Sequence, residues 1–297
     1  MKTKSLISVI VPVYNVASYL ETAFLNLKKQ TLGFENLEII FCDDCSTDES
    51  WNFLQKFAKE NSNVIALRQP KNSGGCGQPR NEALKKASAE YVMFYDPDDE
   101  LPDDACEILY QKIRETQAKI VGGYYSLRDE GGTVLESKAG SVVGLKGDRT
   151  FCFPEQLIES FSTAPMLCCK LFQHRFLKEN QIHFLPFPGE DQPYVVHCYL
   201  AANRFEYIDR EVYIYVKREN SLSRNRSYGY FKGMAQCMEQ CKNLFQIYSK
   251  EKVGEIFLSG LLESQIRLIV LESEEQPQKI LEYLRCFESF LQNDSFC

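Results

Sequence analysis

The first 125 residues alternate between two hydrophobic periods, and this alternation limits the chain to one broad class of fold. Residues 5–13 form a continuous apolar run rich in Ile and Val, the pattern of a strand buried on both faces. Residues 18–30 carry Leu20, Phe24 and Leu27 at helical spacing, and residues 37–42 read as a second strand. Ser46-Thr47-Asp48-Glu49 fits a capping box opening a helix through Trp51, Phe53, Leu54 and Phe57. Residues 63–67 read as a third strand, and a Gly-rich turn at 74–77 leads to a helix near 80–87. Residues 91–95 form a fourth strand, followed by Asp96-Pro97-Asp98-Asp99, a helix over 102–116 and a further strand over 118–125. This order predicts an α/β fold, a doubly wound and mostly parallel sheet.

Beyond residue 126 the alternation breaks. Residues 129–133, with two glycines, read as a turn between short strands, and 140–165 as irregular. Helices are expected over 172–180 and 189–202, and an alternating strand over 205–216. From Tyr228 onwards the pattern is helical; Pro277 marks a helix start, and Ile280, Leu284, Phe287 and Leu291 recur as one apolar face. The expected organisation is an α/β domain over 1–216, in a first half (1–125) and a second half (126–216). A basic arm and a helical C-terminal region fill 217–297.

Composition excludes several classes. With 34 basic and 41 acidic residues the net charge is −7, which argues against a general nucleic-acid binder. No 18-residue apolar window predicts a membrane span, and the N-terminus lacks the features of a signal peptide. The twelve cysteines are scattered, so a reducing cytosol and free core thiols are the expectation. Cys42 and Cys45 form a formal C-x-x-C without a second ligand pair at zinc spacing. His174, His183 and His197 show no ligand spacing.

In an open α/β sheet, ligands bind beyond the carboxyl ends of the strands. The four strand ends here carry Pro12-Val13-Tyr14-Asn15, Asp43-Asp44-Cys45-Ser46, Asn72-Ser73-Gly74-Gly75 and Asp96-Pro97-Asp98-Asp99. Polar and acidic groups therefore converge on one sheet edge. Carboxylates two apart in such a turn can hold Mn²⁺ or Mg²⁺, whose remaining positions are filled by phosphate oxygens. Taken alone, the same turn reads as a solvated acidic loop with Asp99 capping a helix. Gly75-x-Gly77 is a partial dinucleotide fingerprint, but Arg80 stands where the third glycine belongs and the turn does not follow the first strand. Arg80 can meet a phosphate or hold a neighbouring acid.

These residues carry a resemblance. Ile7 to Asn15 resembles the opening strand of family 2 glycosyltransferases, which have the GT-A fold. Asp43-Asp44-Cys45-Ser46-Thr47-Asp48 is similar to their DDGSTD segment, with Cys45 where glycine is usual. Asn72-Ser73-Gly74-Gly75 to Pro79-Arg80-Asn81 resembles their N-x-G-G to A-R-N stretch, with Pro79 in place of alanine. Asp96-Pro97-Asp98-Asp99 resembles their D-x-D-D motif, and Glu190-Asp191 the E-D pair that opens a later helix. The five segments occur in the family's order over roughly residues 5–200.

The resemblance implies an inverting transfer from a nucleotide diphospho-sugar, UDP-sugar foremost, to a glycan or lipid-linked glycan of bacterial surface polysaccharide. Tyr14 would pack on the base, Asp44 would accept from its ring N–H, and Asp96 would face ribose and metal. Asp98 would ligate Mn²⁺ or Mg²⁺. Pro12, Asn15, Ser46, Asn72, Gly75, Arg80 and Asp99 complete the expected donor side. Asp191, with Glu190, would serve the acceptor hydroxyl as base, and a helix N-terminus favours its ionised form.

Lys217, Arg218, Arg224, Arg226 and Lys232 face one acid, Glu219, across 217–232. They read either as an arm over the donor diphosphate or as a solvated loop. The C-terminal helices are compatible with packing on the catalytic domain, with a homo-oligomer, or with peripheral contact at the inner face of the cell membrane. Two rivals remain. A sugar nucleotidyltransferase needs a longer Gly-rich signature with Arg and Lys after strand one, where this chain has Pro-Val-Tyr-Asn. A non-catalytic nucleotide- or glycan-binding protein on the same fold would not need Asp96, Asp98 and Asp191.

Overall fold

The computed structural model describes residues 5–139, 146–163, 166–187, 189–218, 227–272, 278–288 and 290. Its core is a sheet of nine strands in the order β3-β2-β1-β4-β8-β5-β9-β7, with β6 paired to β5. The strands are β1 (Ile7–Val13), β2 (Leu37–Asp43), β3 (Val64–Arg68), β4 (Tyr91–Phe94), β5 (Ile120–Asp129), β6 (Val134–Ala139), β7 (Arg149–Cys152), β8 (Lys170–Gln173) and β9 (Arg204–Lys217). The first four are parallel, and β8 enters antiparallel between β4 and β5. β5 and β9 pair in parallel over their length.

Every residue of β1 is buried, which explains the unbroken apolar run read in its sequence. Helices cover the sheet: α1 (Ala17–Lys28), α2 (Ser50–Glu60), α3 (Gly77–Lys86) and α4 (Ala105–Thr116). Leu20, Ala23, Phe24 and Leu27 of α1 are buried, and Phe24 stacks on Phe57 of α2 with ring centroids 4.1 Å apart. α3 packs on β1 and β2, which brings its N-terminus to the carboxyl ends of those strands.

Three expectations are corrected. α2 begins at Ser50 with no capping box, because the Ser46 hydroxyl instead accepts from the backbone N–H of Asn15 at 3.0 Å. Asp48 takes over locally, accepting from the Ser50 N–H at 2.9 Å. The stretch read as irregular contains β7 and α5 (Leu157–Thr163). The helix expected from 172 is strand β8 up to Gln173, then the short α6 (His174–Glu179). Four residues are too few to display a period, and β8 earns its place by pairing with both β4 and β5.

α7 (Asp191–Ala202) leads into β9, and α8 (Tyr228–Ile247), α9 (Glu251–Glu272) and α10 (Lys279–Arg285) form the helical C-terminal region. α8 packs on both α7 and α9. Gly189, with φ of 83°, lies so close to α8 that a Cβ there would come within 2.8 Å of the Met234 sulfur. The Cys237 thiol donates to the Gly189 carbonyl at 3.0 Å, so α8 braces the turn before α7. Arg224, Arg226, Pro277 and Leu291 lie outside the described residues. Among the described residues no helix is long and apolar enough to cross a membrane.

Candidate active site

β1, β2 and β4 run in the same direction, so the segments after them emerge together. Asn15, just past β1, adopts a φ of 53°. Its side-chain oxygen accepts from the Thr47 N–H at 2.8 Å, and this ties the first strand end to the second. Asp43 is fully buried and paired with Arg68 at 3.1 Å. Asp44 is buried as well. Its Oδ2 accepts from the Ser73 N–H and hydroxyl, both at 2.9 Å, and from the Asn72 amide at 3.1 Å. Its Oδ1 is buried with no hydrogen-bond partner among the described residues. An orphaned buried carboxylate oxygen is costly unless a ligand donor meets it. Tyr14 is half exposed nearby in sequence, Pro12 lies within β1, and Gly75 has open space where a Cβ would stand.

The two departures from the family pattern have local explanations. Cys45 holds a φ of 64°, the left-handed region that glycine adopts without cost. Pro79 sits in the first turn of α3, where the backbone N–H has no intrahelical partner to lose.

α3 supplies the residues that join the two halves. Asn81 clamps the backbone of Phe184 from both sides, donating to its carbonyl at 2.8 Å and accepting from its N–H at 2.9 Å. Gly77 permits this approach, since a Cβ there would fall 2.6 Å from the Leu185 carbonyl. Arg80, one turn into the helix, reaches three carboxylates. One terminal nitrogen holds Asp96 at 2.8 Å, and the other holds Asp191 at 2.6 Å and Glu190 at 3.1 Å. The Arg80 side chain is only 3% exposed, whereas that of Asp191 is 42% exposed. The pairing thus screens a carboxylate that still opens to solvent.

The electrostatics follow from this crowding. Burial disfavours the charged Arg80, but Asp191 and Asp96 override it and hold the guanidinium firmly protonated. Burial, reinforced by Asp191, raises Glu190 to about 7 despite Arg80. Asp191 is raised by burial and by Asp96, with Arg80 acting against both. As the first residue of α7, it also faces the positive end of that helix.

The turn after β4 is held from below by tyrosines. Asp99, expected on the donor side, turns inwards. Its carboxylate accepts from the Tyr213 hydroxyl at 2.8 Å and from the Val216 N–H at 2.9 Å. The Tyr95 hydroxyl donates to the Asp99 carbonyl at 2.8 Å, and the Asp96 N–H donates to Tyr213 at 3.3 Å. Ser46 and Asn72 likewise serve neighbouring protein groups. Asp96 accepts from Arg80 through Oδ1 and from the Cys168 thiol, at 3.5 Å, through Oδ2. Asp98 stays partly exposed, its side chain at 39%, and is paired with Arg218 at 3.3 Å. Burial and the neighbouring Asp96 raise the Asp98 carboxyl, with Arg218 opposing. Among the described residues no group of three or more His, Cys, Asp or Glu is arranged to hold a metal. Asp96 and Asp98 are the pair of carboxylates in this turn that could hold a hard cation, two ligands only.

Cys168, Tyr213 and the pairing of Arg218 with Asp98 were not legible as site features. Cys168 and Tyr213 carry no motif, and they reach the turn only through the antiparallel insertion of β8 and the parallel addition of β9.

Comparison with known proteins places this geometry. Residues 8–171 match the Glycosyl transferase family 2 model, more than half of the chain. The glycosyltransferase GlyG of Streptococcus pneumoniae serotype 4 is 29% identical, over 94% of this chain and 89% of its own length. The poly(ribitol-phosphate) beta-glucosyltransferase of Bacillus spizizenii is 33% identical over 72% of this chain, which spans only 32% of that protein. The crystal structure of S. aureus TarS residues 1–349 with UDP-GlcNAc superposes with a TM-score of 0.76 at 23% identity, covering 97% of this chain and 81% of that one. The architecture is that of the GT-A fold. With its motifs gathered at one sheet edge and more than half its length matching the family model, the chain belongs to glycosyltransferase family 2.

Proposed function

We propose that the protein transfers a sugar, with inversion, from a UDP-sugar to a bacterial surface glycan or polyol-phosphate polymer, with Asp191 as general base. The observation that carries this reading is Arg80, which holds donor-side Asp96 at 2.8 Å and acceptor-side Asp191 at 2.6 Å. One guanidinium thus sets the distance between the leaving-group side and the base. The polymer acceptor is favoured by the relative that acts on poly(ribitol phosphate) and the UDP-sugar by the TarS complex. Both are properties of those proteins.

Donor binding begins with Asp44. Its unpartnered Oδ1 suits the imide N–H of uracil, and cytosine offers a lone pair at that position instead. Tyr14 offers an exposed ring face to the base. Asp96 and Asp98 are hard oxygen donors two residues apart, and they are the residues that would hold a Mn²⁺ or Mg²⁺ ion. Such an ion, when bound, stabilises the charge that develops on the departing diphosphate.

In the transfer itself, the acceptor hydroxyl oxygen attacks the anomeric carbon from the face opposite the diphosphate. The bond from that carbon to the diphosphate oxygen breaks, and its electron pair leaves with UDP. The hydroxyl proton passes to Asp191, and Arg80 keeps that carboxylate oriented while its exposed edge meets the acceptor. Glu190, buried and raised towards neutrality, accepts from the same Arg80 nitrogen as Asp191, and the other terminal nitrogen holds Asp96. The absence of an intermediate bound to the enzyme is what gives inversion. We place the reaction in the cytoplasm, consistent with eleven described cysteines that are all free.

The test incubates the protein with a panel of UDP-sugars, Mn²⁺, and poly(ribitol phosphate) or a lipid-linked glycan. Mass spectrometry then follows the added hexose and NMR the anomer. A β-linked product from an α-linked donor is expected. A retained anomer, or no transfer and no donor hydrolysis by folded protein, contradicts the reading.

A further inference from the structure

Arg218 directly follows Lys217, the last residue of β9, and is nearly buried, with a side chain 13% exposed. It lies over the Tyr19 ring at 4.5 Å and donates to the Val216 carbonyl at 3.2 Å. Its charge faces three carboxylates: Asp98 at 3.3 Å, Glu130 at 3.9 Å and Asp99 at 4.0 Å. Its Nε is buried without a hydrogen-bond partner among the described residues. Asp99 is already satisfied by Tyr213 and Val216, and Asp96 by Arg80, so Asp98 is the carboxylate that Arg218 serves. Among the described residues this guanidinium has one carboxylate within hydrogen-bond distance and an unpartnered Nε.

We propose that Arg218 stands in for the divalent cation on Asp98, and that exchange of this guanidinium between Asp98 and the donor diphosphate couples metal binding to donor binding. The inference rests on the metal assignment made above. A dication arriving alone must displace Arg218 from Asp98 and then share a small space with it. A diphosphate arriving alone must draw Arg218 away and leave Asp98 unpaired beside Asp96. When both arrive, the metal takes Asp98, and the planar guanidinium turns to phosphate oxygens, which it can bind in a fork. Each ligand removes the other's cost, so the two affinities rise by the same factor. The device keeps free metal off the site until a donor is present, and it makes Arg218 a positioning residue.

Calorimetry on the full chain tests this, with Mn²⁺ alone, UDP alone and the two together, on the parent protein, Arg218→Ala and Arg218→Lys. The parent should bind Mn²⁺ alone weakly, and UDP should tighten Mn²⁺ by about tenfold or more. Arg218→Ala should bind Mn²⁺ alone about tenfold more tightly, and the effect of UDP on Mn²⁺ should shrink by a similar factor. Arg218→Lys keeps the charge and should keep Mn²⁺ alone weak. Circular dichroism and a cooperative thermal transition matching the parent's report that Arg218→Ala is folded. Unchanged Mn²⁺ affinity in Arg218→Ala, with coupling intact, overturns the inference and leaves the metal assignment standing. UDP binding with no Mn²⁺ effect in any of the three proteins overturns both.

Discussion

Arg80 donates to Asp191 at 2.6 Å, and the contact joins segments 111 residues apart. The same side chain reaches Asp96, 16 residues away on the donor side. The proposed base, Asp191, is therefore held by the same group that holds Asp96 in the turn after β4. This gives an expectation for Asp191→Asn. The amide still accepts from Arg80, so UDP binding should persist, while kcat falls by about a thousandfold. Steady-state transfer assays with matched UDP titrations measure both. Because burial and Asp96 raise the Asp191 carboxyl, the parent's activity should begin to fall at a higher pH than an ordinary aspartate would give.

Arg80 is also a structural element. Removing it would leave Asp96, Glu190 and Asp191 facing one another with no cation between them. Arg80→Met should lower the unfolding free energy by about 3 kcal/mol or more, since a buried pair broken on one side strands its partners. Arg80→Lys should recover only part of the loss, because an ammonium cannot span carboxylates on two edges. Urea denaturation of the three proteins checks this, and equal midpoints would contradict it.

Glu190 supplies a pH signature of stability. Its carboxyl lies at about 7 in the folded protein against an ordinary 4.5. Between those values the folded state holds a proton that the unfolded chain has released, so this residue's contribution falls as pH rises through that window. Asp191 shares the titration, which belongs to the pair. Glu190→Gln cannot ionise, so its stability relative to the parent should improve from pH 5 to pH 8. Parallel denaturation curves for the two proteins at both pH values would count against this.

Cys45 carries a φ of 64° at the position where the family pattern has glycine. Left-handed backbone costs a residue with a Cβ about 1 kcal/mol. Cys45→Gly should raise the unfolding free energy by up to that amount and leave UDP affinity within about twofold. Chemical denaturation and calorimetry report the two quantities. A destabilised variant would mean that the thiol makes a compensating contact.

The first half, residues 1–125, was legible because its strands are buried on both faces and its helices have clear stripes. Ile7 to Val13 could be read as a strand without any tertiary information, and its carboxyl end located the site. The second half was less legible. β8 is four residues long, and its strand character comes from β4 and β5 on either side. Ser46 resembled a helix cap, but the N–H it serves belongs to Asn15, 31 residues earlier. Asp99 resembled a donor-side acid, but Tyr213, 114 residues later, takes its carboxylate. Arg80 was readable as a partner for an acid. That it serves three at once depends on the tertiary placement of Glu190 and Asp191 beside α3, which no local pattern encodes.

The central claim, a metal-assisted UDP-sugar site read by Asp44 and the Asp96–Asp98 turn, is tested most directly by calorimetry with UDP, GDP, CDP and dTDP, each with and without Mn²⁺. The unpartnered Asp44 oxygen predicts that UDP binds at least tenfold more tightly than CDP, and the paired carboxylates predict that Mn²⁺ strengthens it. Equal or tighter binding of CDP, or no diphosphate binding by folded protein, would contradict the account.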